Sequence, residues 1–306
     1  MKTTSIFLLT VAPFFLFLFT AVHRAGWESC KQQQDPSNFC MGQPRIAEPL
    51  LPTPTAEQRL YRGPLHLRVY LHIIRDGNGE GGLTPAQIAE SLSILEKDFR
   101  PFDIFFEPEE EIFYIDEQTL FEDANGTAAV FNNNPHEDGI DIYLFPDHPG
   151  HSTAGGGMVY TIPAAAFFVV GRCIEDPKLI YRRTSAISHE MGHCLGLFHT
   201  HHAMEQGGCE ELVNRSNCLE CGDFVCDTPA DPGLFLEVDG ANCTWSGHAL
   251  DSEGQEMQPD LHNIMSYTHP SCMTHFSQGQ GARMRYYLTH HPMLKKCLIT
   301  HQISKK

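Results

Sequence analysis

Five residues in one short stretch have the types and spacing of a hydrolytic metal site. They are His189, Glu190, His193, Gly196 and His199, within Ser188-His189-Glu190-Met191-Gly192-His193-Cys194-Leu195-Gly196-Leu197-Phe198-His199. Residues four apart stack on one face of an α-helix, so His189 and His193 can share an ion. Glu190 follows the first of them, where its carboxylate reaches a water on the metal without binding the metal itself. Glycine at 196 adopts positive φ at little cost and ends the helix abruptly. That exit returns His199 as a third imidazole and leaves the fourth tetrahedral position to water. The chemistry is that of a catalytic zinc ion activating water. The chain carries 18 His in 306 residues, yet the expected chance count of this pattern is on the order of one in a few thousand. A structural zinc would instead take four protein ligands, usually rich in Cys.

The pattern HExxHxxGxxH, followed later by Asn263-Ile264-Met265-Ser266-Tyr267, resembles the metzincin zinc metallopeptidases with their Met-turn. Within that clan HExGHxLGLxHT is more similar to the pappalysin family than to astacins or matrixins. The tail from Asn263 through Cys272, Phe276, Gly279 and Gln280 to Arg283 and Met284, and the run Gly222-Asp223-Phe224-Val225-Cys226-Asp227-Thr228-Pro229, strengthen the likeness. These motifs span most of residues 65 to 290.

The resemblance implies an α/β (α+β) fold in two parts. An upper subdomain (63–196) holds a twisted mixed sheet and helices, including the active-site helix. A lower, loop-rich and disulfide-braced subdomain (197–306) holds the Met-turn and a C-terminal helix. It further implies Zn2+ on His189, His193 and His199, Glu190 as general base, Met265 as an apolar floor beneath the imidazoles, and Tyr267 as an oxyanion donor. The family braces this region with two crossed bridges, one ending at Cys272; by analogy its partner is Cys243 or a cysteine of 218 to 226. Asp223, Asp227 and Thr228 resemble part of a Ca2+ site, which needs six or more oxygens. Some relatives hold themselves latent with a thiolate in the water's place, a role open to Cys40, against the alternative of a Cys30–Cys40 disulfide.

Several elements must position these residues. Leu65 to Ile74 alternates apolar and polar side chains as a half-buried strand does, and Asp76 to Gly82 is a Gly-rich turn. Thr84-Pro85-Ala86-Gln87 has the capping-box form, and Ile88, Leu92, Leu95 and Phe99 recur at helical spacing. Short strands are expected near Ile104 to Phe106, Ile112 to Ile115, Ile140 to Phe145, Met158 to Ile162 and Phe167 to Val170. In the metzincin clan an edge strand above the metal pairs with extended substrate, a place the strand at Met158 fits. Gly155-Gly156-Gly157 before it reads as a loop rather than a close-approach site. The active helix starts at Thr184 or Ser185, with Ile187, Met191, Cys194 and Leu195 toward the core and Cys194 as an inert buried thiol. His201 and His202 read as supporting or surface groups. Cys218-Leu-Glu-Cys221 favours disulfides over a second zinc site. Ser277 to Gln280 opens a last helix that Pro292 ends.

Residues 1–25, with Lys2 before an apolar run from Ile6 to Phe19, have the form of a signal peptide, cleaved after Ala21 or Ala25. Residues 26–62 lack apolar periodicity and read as a pro-segment or flexible leader ahead of a catalytic domain at 63–306. Eleven cysteines then point to disulfides in an oxidising compartment. Sequons at Asn125, Asn214 and Asn242 suit a glycoprotein. A net charge of −17 argues against nucleic acid or an anionic membrane as partner, and no later stretch approaches membrane-spanning length. The expected function is a secreted, extracellular zinc endopeptidase acting on peptide or protein substrates. The alternative is a catalytically idle metzincin-fold binding or toxin-like module, although no ligand or base is missing. Some pappalysins select basic side chains with an acid shortly after the Met-turn Tyr. Here His269-Pro270-Ser271 stands there, so that preference does not carry over.

Overall fold

A computed structural model of the chain describes residues 45–46, 63–122, 127–147, 152–153, 156–173, 176, 178–202 and 208–299. The signal segment, most of the leader, Cys30, Cys40 and Asn125 lie outside the described residues. Five strands form one mixed sheet: β1 (Leu65–Arg75), β2 (Ile104–Asp116), β3 (Ile140–Leu144), β4 (Gly157–Val159) and β5 (Ala166–Val169). Their order is β2-β1-β3-β5-β4, parallel throughout except for β4, which runs antiparallel to β5 along the edge. Central β3 is buried at every position, as a strand covered on both faces must be.

Helix α1 (Pro85–Phe99) begins with the expected capping box. The Thr84 hydroxyl accepts from the Gln87 amide, and the Gln87 side chain accepts from the Thr84 amide. Ile88, Leu95 and Phe99 are buried, and Leu92 packs beside them. This face meets Leu67, Val69, Leu71 and Ile73 of β1 together with Ile187 and Met191 of α2 (Ala186–Cys194) in one apolar cluster. Burying a side chain of this size fully stabilises by about 1.5–3 kcal/mol.

Two expected strands, near 104–106 and 112–115, are one continuous strand. Between Val69 and Leu71 the register slips, since Val69 faces Pro108 while Leu71 faces Ile112. The extra residues bulge outward with Glu109, Glu110 and Glu111 exposed. Proline and charge are tolerated there because β2 is an edge strand. The strand expected at 158–162 is split. Gly157–Val159 joins the sheet, whereas Thr161–Ile162 pairs in parallel with Arg45–Ile46, so two leader residues have regular structure.

After the active helix the described chain is mostly turns, closed by Cys209–Cys221, Cys218–Cys226 and Cys243–Cys272. The two cysteines of the CxxC pair thus go to different partners, and Cys272 takes Cys243. Helix α3 (Gln278–His290) starts with a second capping box, Ser277 with Gln280, and α4 (Pro292–Lys296) follows. Beyond it the Arg68 amide donates to Cys297 O and the Ile299 amide to His66 O, fastening the C-terminal end to β1. No helix among the described residues is long and apolar enough to cross a membrane.

Candidate active site and metal centre

Helix α2 is seated from several sides. Thr184, not Ser185, supplies its cap: the hydroxyl accepts from the Ala186 amide at 3.2 Å. Ser188 donates to Asp98 of α1 at 2.8 Å. Gly192 leaves room for the Met-turn, since a Cβ there would lie 2.7 Å from the sulfur of the fully buried Met265. Cys194 is buried and points its thiol at Ala166 O; burial first, then the nearby Glu190 charge, holds that thiol well above its ordinary range. Gly196 ends the helix at φ +91°, where a Cβ would meet the Tyr287 ring at 2.5 Å. The Gly196 carbonyl accepts from Arg283 Nε at 2.7 Å.

This exit brings the three imidazoles together. Their Nε2 atoms lie 3.1 Å (His189–His193), 2.9 Å (His193–His199) and 3.1 Å (His189–His199) apart. His189 Nδ1 donates to Ile264 O at 2.6 Å and His193 Nδ1 to Leu197 O at 2.8 Å. These bonds fix the tautomer, so both rings turn a bare lone pair inward at Nε2. Lone pairs converging at such distances repel one another unless a cation lies among them. Three buried imidazoles in this arrangement fit zinc, whose bonds to nitrogen are about 2.0–2.1 Å.

Glu190 is 7% exposed, and burial pushes its carboxyl up to about 8. A divalent cation nearby favours the charged form and opposes that shift. Strand β4 crosses directly over this side chain: a Cβ on Gly157 would stand 2.6 Å from Glu190 Cγ and 2.5 Å from Phe168 O. Gly157 is therefore a point of close approach, not a loop residue. Tyr267 is half-buried, with its ring 4.4 Å from that of His199 and 6.3 Å from that of His189. His201 and His202 are buried rather than at the surface. The His201 ring lies parallel to His199 at 5.1 Å and packs on Tyr267 at 4.3 Å, while His202 packs on Phe198.

One supporting residue had no motif to announce it. Buried Asp231 accepts from Thr200 Oγ1 at 2.6 Å and Ser266 Oγ at 2.8 Å, tying the chain after His199 to the Met-turn. The Asp-Pro-Gly sequence around it signals a turn and nothing more.

The three residues expected to bind calcium are committed to protein partners. Asp223 accepts from the Val225 amide and the Thr228 hydroxyl, and Asp227 from Ser277 Oγ and the Gly279 amide at the start of α3. Beside Asp223, however, both carboxylate oxygens of Glu211 are buried without a hydrogen-bond partner. Burial, with Asp223's charge second, pushes Glu211 up to about 8; burial pushes Asp223 up to about 7.

Comparison with known proteins bears on the whole arrangement. Residues 164–289 match the peptidase family model described as pregnancy-associated plasma protein-A. Extracellular metalloprotease 1 of Coccidioides posadasii is 24% identical over 243 residues, covering 73% of this chain and 76% of the relative. An extracellular metalloprotease of Colletotrichum graminicola is 26% identical over 235 residues, covering 74% and 77%. Mature mirolysin of Tannerella forsythia, solved with a cleaved peptide, superposes with a TM-score of 0.53 at 19% identity, covering 78% of this chain and 97% of mirolysin. Fold, histidine triad and relatives together define a metzincin zinc metallopeptidase. Within that class, the matched segment 164–289 is similar to the pappalysin family.

Proposed function

We propose that this is a secreted endopeptidase that cleaves internal peptide bonds, with His189, His193 and His199 holding the zinc and Glu190 acting as general base. The observation that carries this is the convergence of three buried Nε2 atoms beside the buried carboxyl side chain of Glu190. Bound zinc supplies Lewis acidity, polarising the scissile carbonyl and lowering the pKa of water to about 7. Glu190 takes the proton of the attacking water and delivers it to the leaving amine. Tyr267, against the His199 ring, donates to the developing oxyanion. Met265 keeps the imidazoles from shifting by filling the space below α2. Edge strand β4 offers its free side to an extended peptide, whose main-chain hydrogen bonds supply affinity. The names of the fungal relatives and the form of residues 1–25 support secretion.

Calcium fits the lower subdomain once Glu211 is counted. Two neighbouring buried carboxyls, one with both oxygens orphaned, form a hard-oxygen donor pair in a segment closed by two overlapping disulfides. A peptide-library digest read by mass spectrometry, with and without a chelator, tests the central assignment. Chelator-sensitive internal cleavage is expected; hydrolysis that survives chelation, or none by the processed, zinc-loaded chain, overturns it.

A further inference from the structure

A second cluster of metal-type side chains lies on the sheet face turned away from the catalytic helix. Leu67, Val69, Leu71 and Ile73 of β1 point into the core shared with α1 and α2, so Tyr70 and His72 point the other way. On β3, Asp141 and Tyr143 lie opposite Tyr70 and His72 in register. His136, in the loop leading into β3, stacks on Tyr70 at 3.5 Å. Asp141 Oδ1 then meets His72 Nε2 at 2.8 Å and His136 Nδ1 at 2.7 Å.

We propose that His72, His136 and Asp141 form a second site for a divalent transition-metal ion, zinc foremost, which fastens the loop bearing His136 onto the sheet. Two imidazoles and one carboxylate are a donor set for zinc, copper or nickel rather than for magnesium or calcium. The three ligand atoms lie within 4.8 Å of one another, the same clustering that the catalytic triad shows in this molecule. His72 and Asp141 are almost wholly buried, and the only ion-pair partners of Asp141 among the described residues are these two histidines. Its charge is thus buried without a lysine or arginine beside it, an arrangement that a dication neutralises. The rings of Phe113 and Tyr143, 5.2 Å and 4.3 Å from that of His72, close the inner side to water. His136, with 22% of its side chain exposed, gives an entry path and room for water at the fourth position.

The test uses a Glu190→Gln background, which prevents self-digestion and keeps the triad intact. Metal content after dialysis against micromolar zinc is expected to be two ions per chain. It falls to one when His136→Ala is added, and separately to one when His193→Ala is added. The His136→Ala variant keeps the His136 backbone amide that donates to Asp141 Oδ2 at 2.9 Å, so the loop retains one anchor. Peptidase activity of His136→Ala in the otherwise unaltered enzyme should remain within about twofold of the parent. A single zinc that His136→Ala leaves in place and His193→Ala removes overturns the second site while leaving the catalytic one standing. Should His136→Ala fail to fold, calorimetric zinc titration of the chelated Glu190→Gln protein decides: two binding events support the site, and one refutes it.

Discussion

Adding one methyl group at Gly157 should disable the enzyme without touching a metal ligand. The alanine Cβ would stand 2.6 Å from Glu190 Cγ and 2.5 Å from Phe168 O, where ordinary contact begins at 3.4 Å. Either the carboxylate or the edge strand must therefore move by close to 1 Å. The backbone oxygen belongs to β5 in the sheet interior, so the side chain and β4 yield first. A displacement of about 1 Å in a catalytic group costs on the order of 10²-fold in rate, equivalent to roughly 2.7 kcal/mol of transition-state stabilisation. The assay is kcat/KM on a quenched peptide, paired with zinc content and a thermal melt. The expected result is a loss near 10²-fold with zinc retained and the melting point lowered by only a few degrees. Full activity at normal zinc content would refute the claim that β4 sets the position of Glu190.

Four further outcomes follow, two from the catalytic site and two from the Glu211–Asp223 pair. Glu190→Gln, which preserves shape but cannot accept a proton, should lower kcat by about 10²–10⁴-fold and keep zinc; undiminished kcat would remove Glu190 as the base. Met265→Ala empties a fully buried position and should cost about 2–5 kcal/mol in denaturant unfolding; a change below 1 kcal/mol would show that the floor collapses freely. In chelator, Glu211 and Asp223 should make stability fall as pH rises from about 4 to 8. Their folded values are raised to about 8 and about 7, so the unfolded chain releases its protons first. Calcium at a hundredfold excess over its Kd should then add about 2.7 kcal/mol, an increment that Glu211→Gln abolishes; equal stabilisation of that variant would exclude the pair as ligands.

What the sequence disclosed depended on whether a feature is local. The zinc helix, its glycine exit and both capping boxes are written within four to eleven consecutive residues, and each stands as expected. Strand β2 was misjudged because Pro108 and the following glutamates look like a loop, and only its edge position makes them compatible with pairing. Gly157 reads as a loop residue from the sequence because what it approaches is a side chain 33 positions away. Asp231 and the His72–His136–Asp141 cluster were invisible for the same reason: Asp231 meets side chains 31 and 35 residues away, and His136 and Asp141 lie 64 and 69 residues from His72, contacts that only the folded chain makes. Of the expected bridges, the choice of Cys243 for Cys272 likewise needed coordinates.

The hydrogen bond from His189 Nδ1 to Ile264 O has a mechanical consequence. On the proposed ligand set, one imidazole would be a strut, holding the metal at one end and bonded to the Met-turn at the other. Taking the ion away releases tension at both ends, so chelated enzyme should exchange amide hydrogens faster at 264–267 than in the remote strand β3. The ion proposed to serve the reaction would then also be the rivet of its casing.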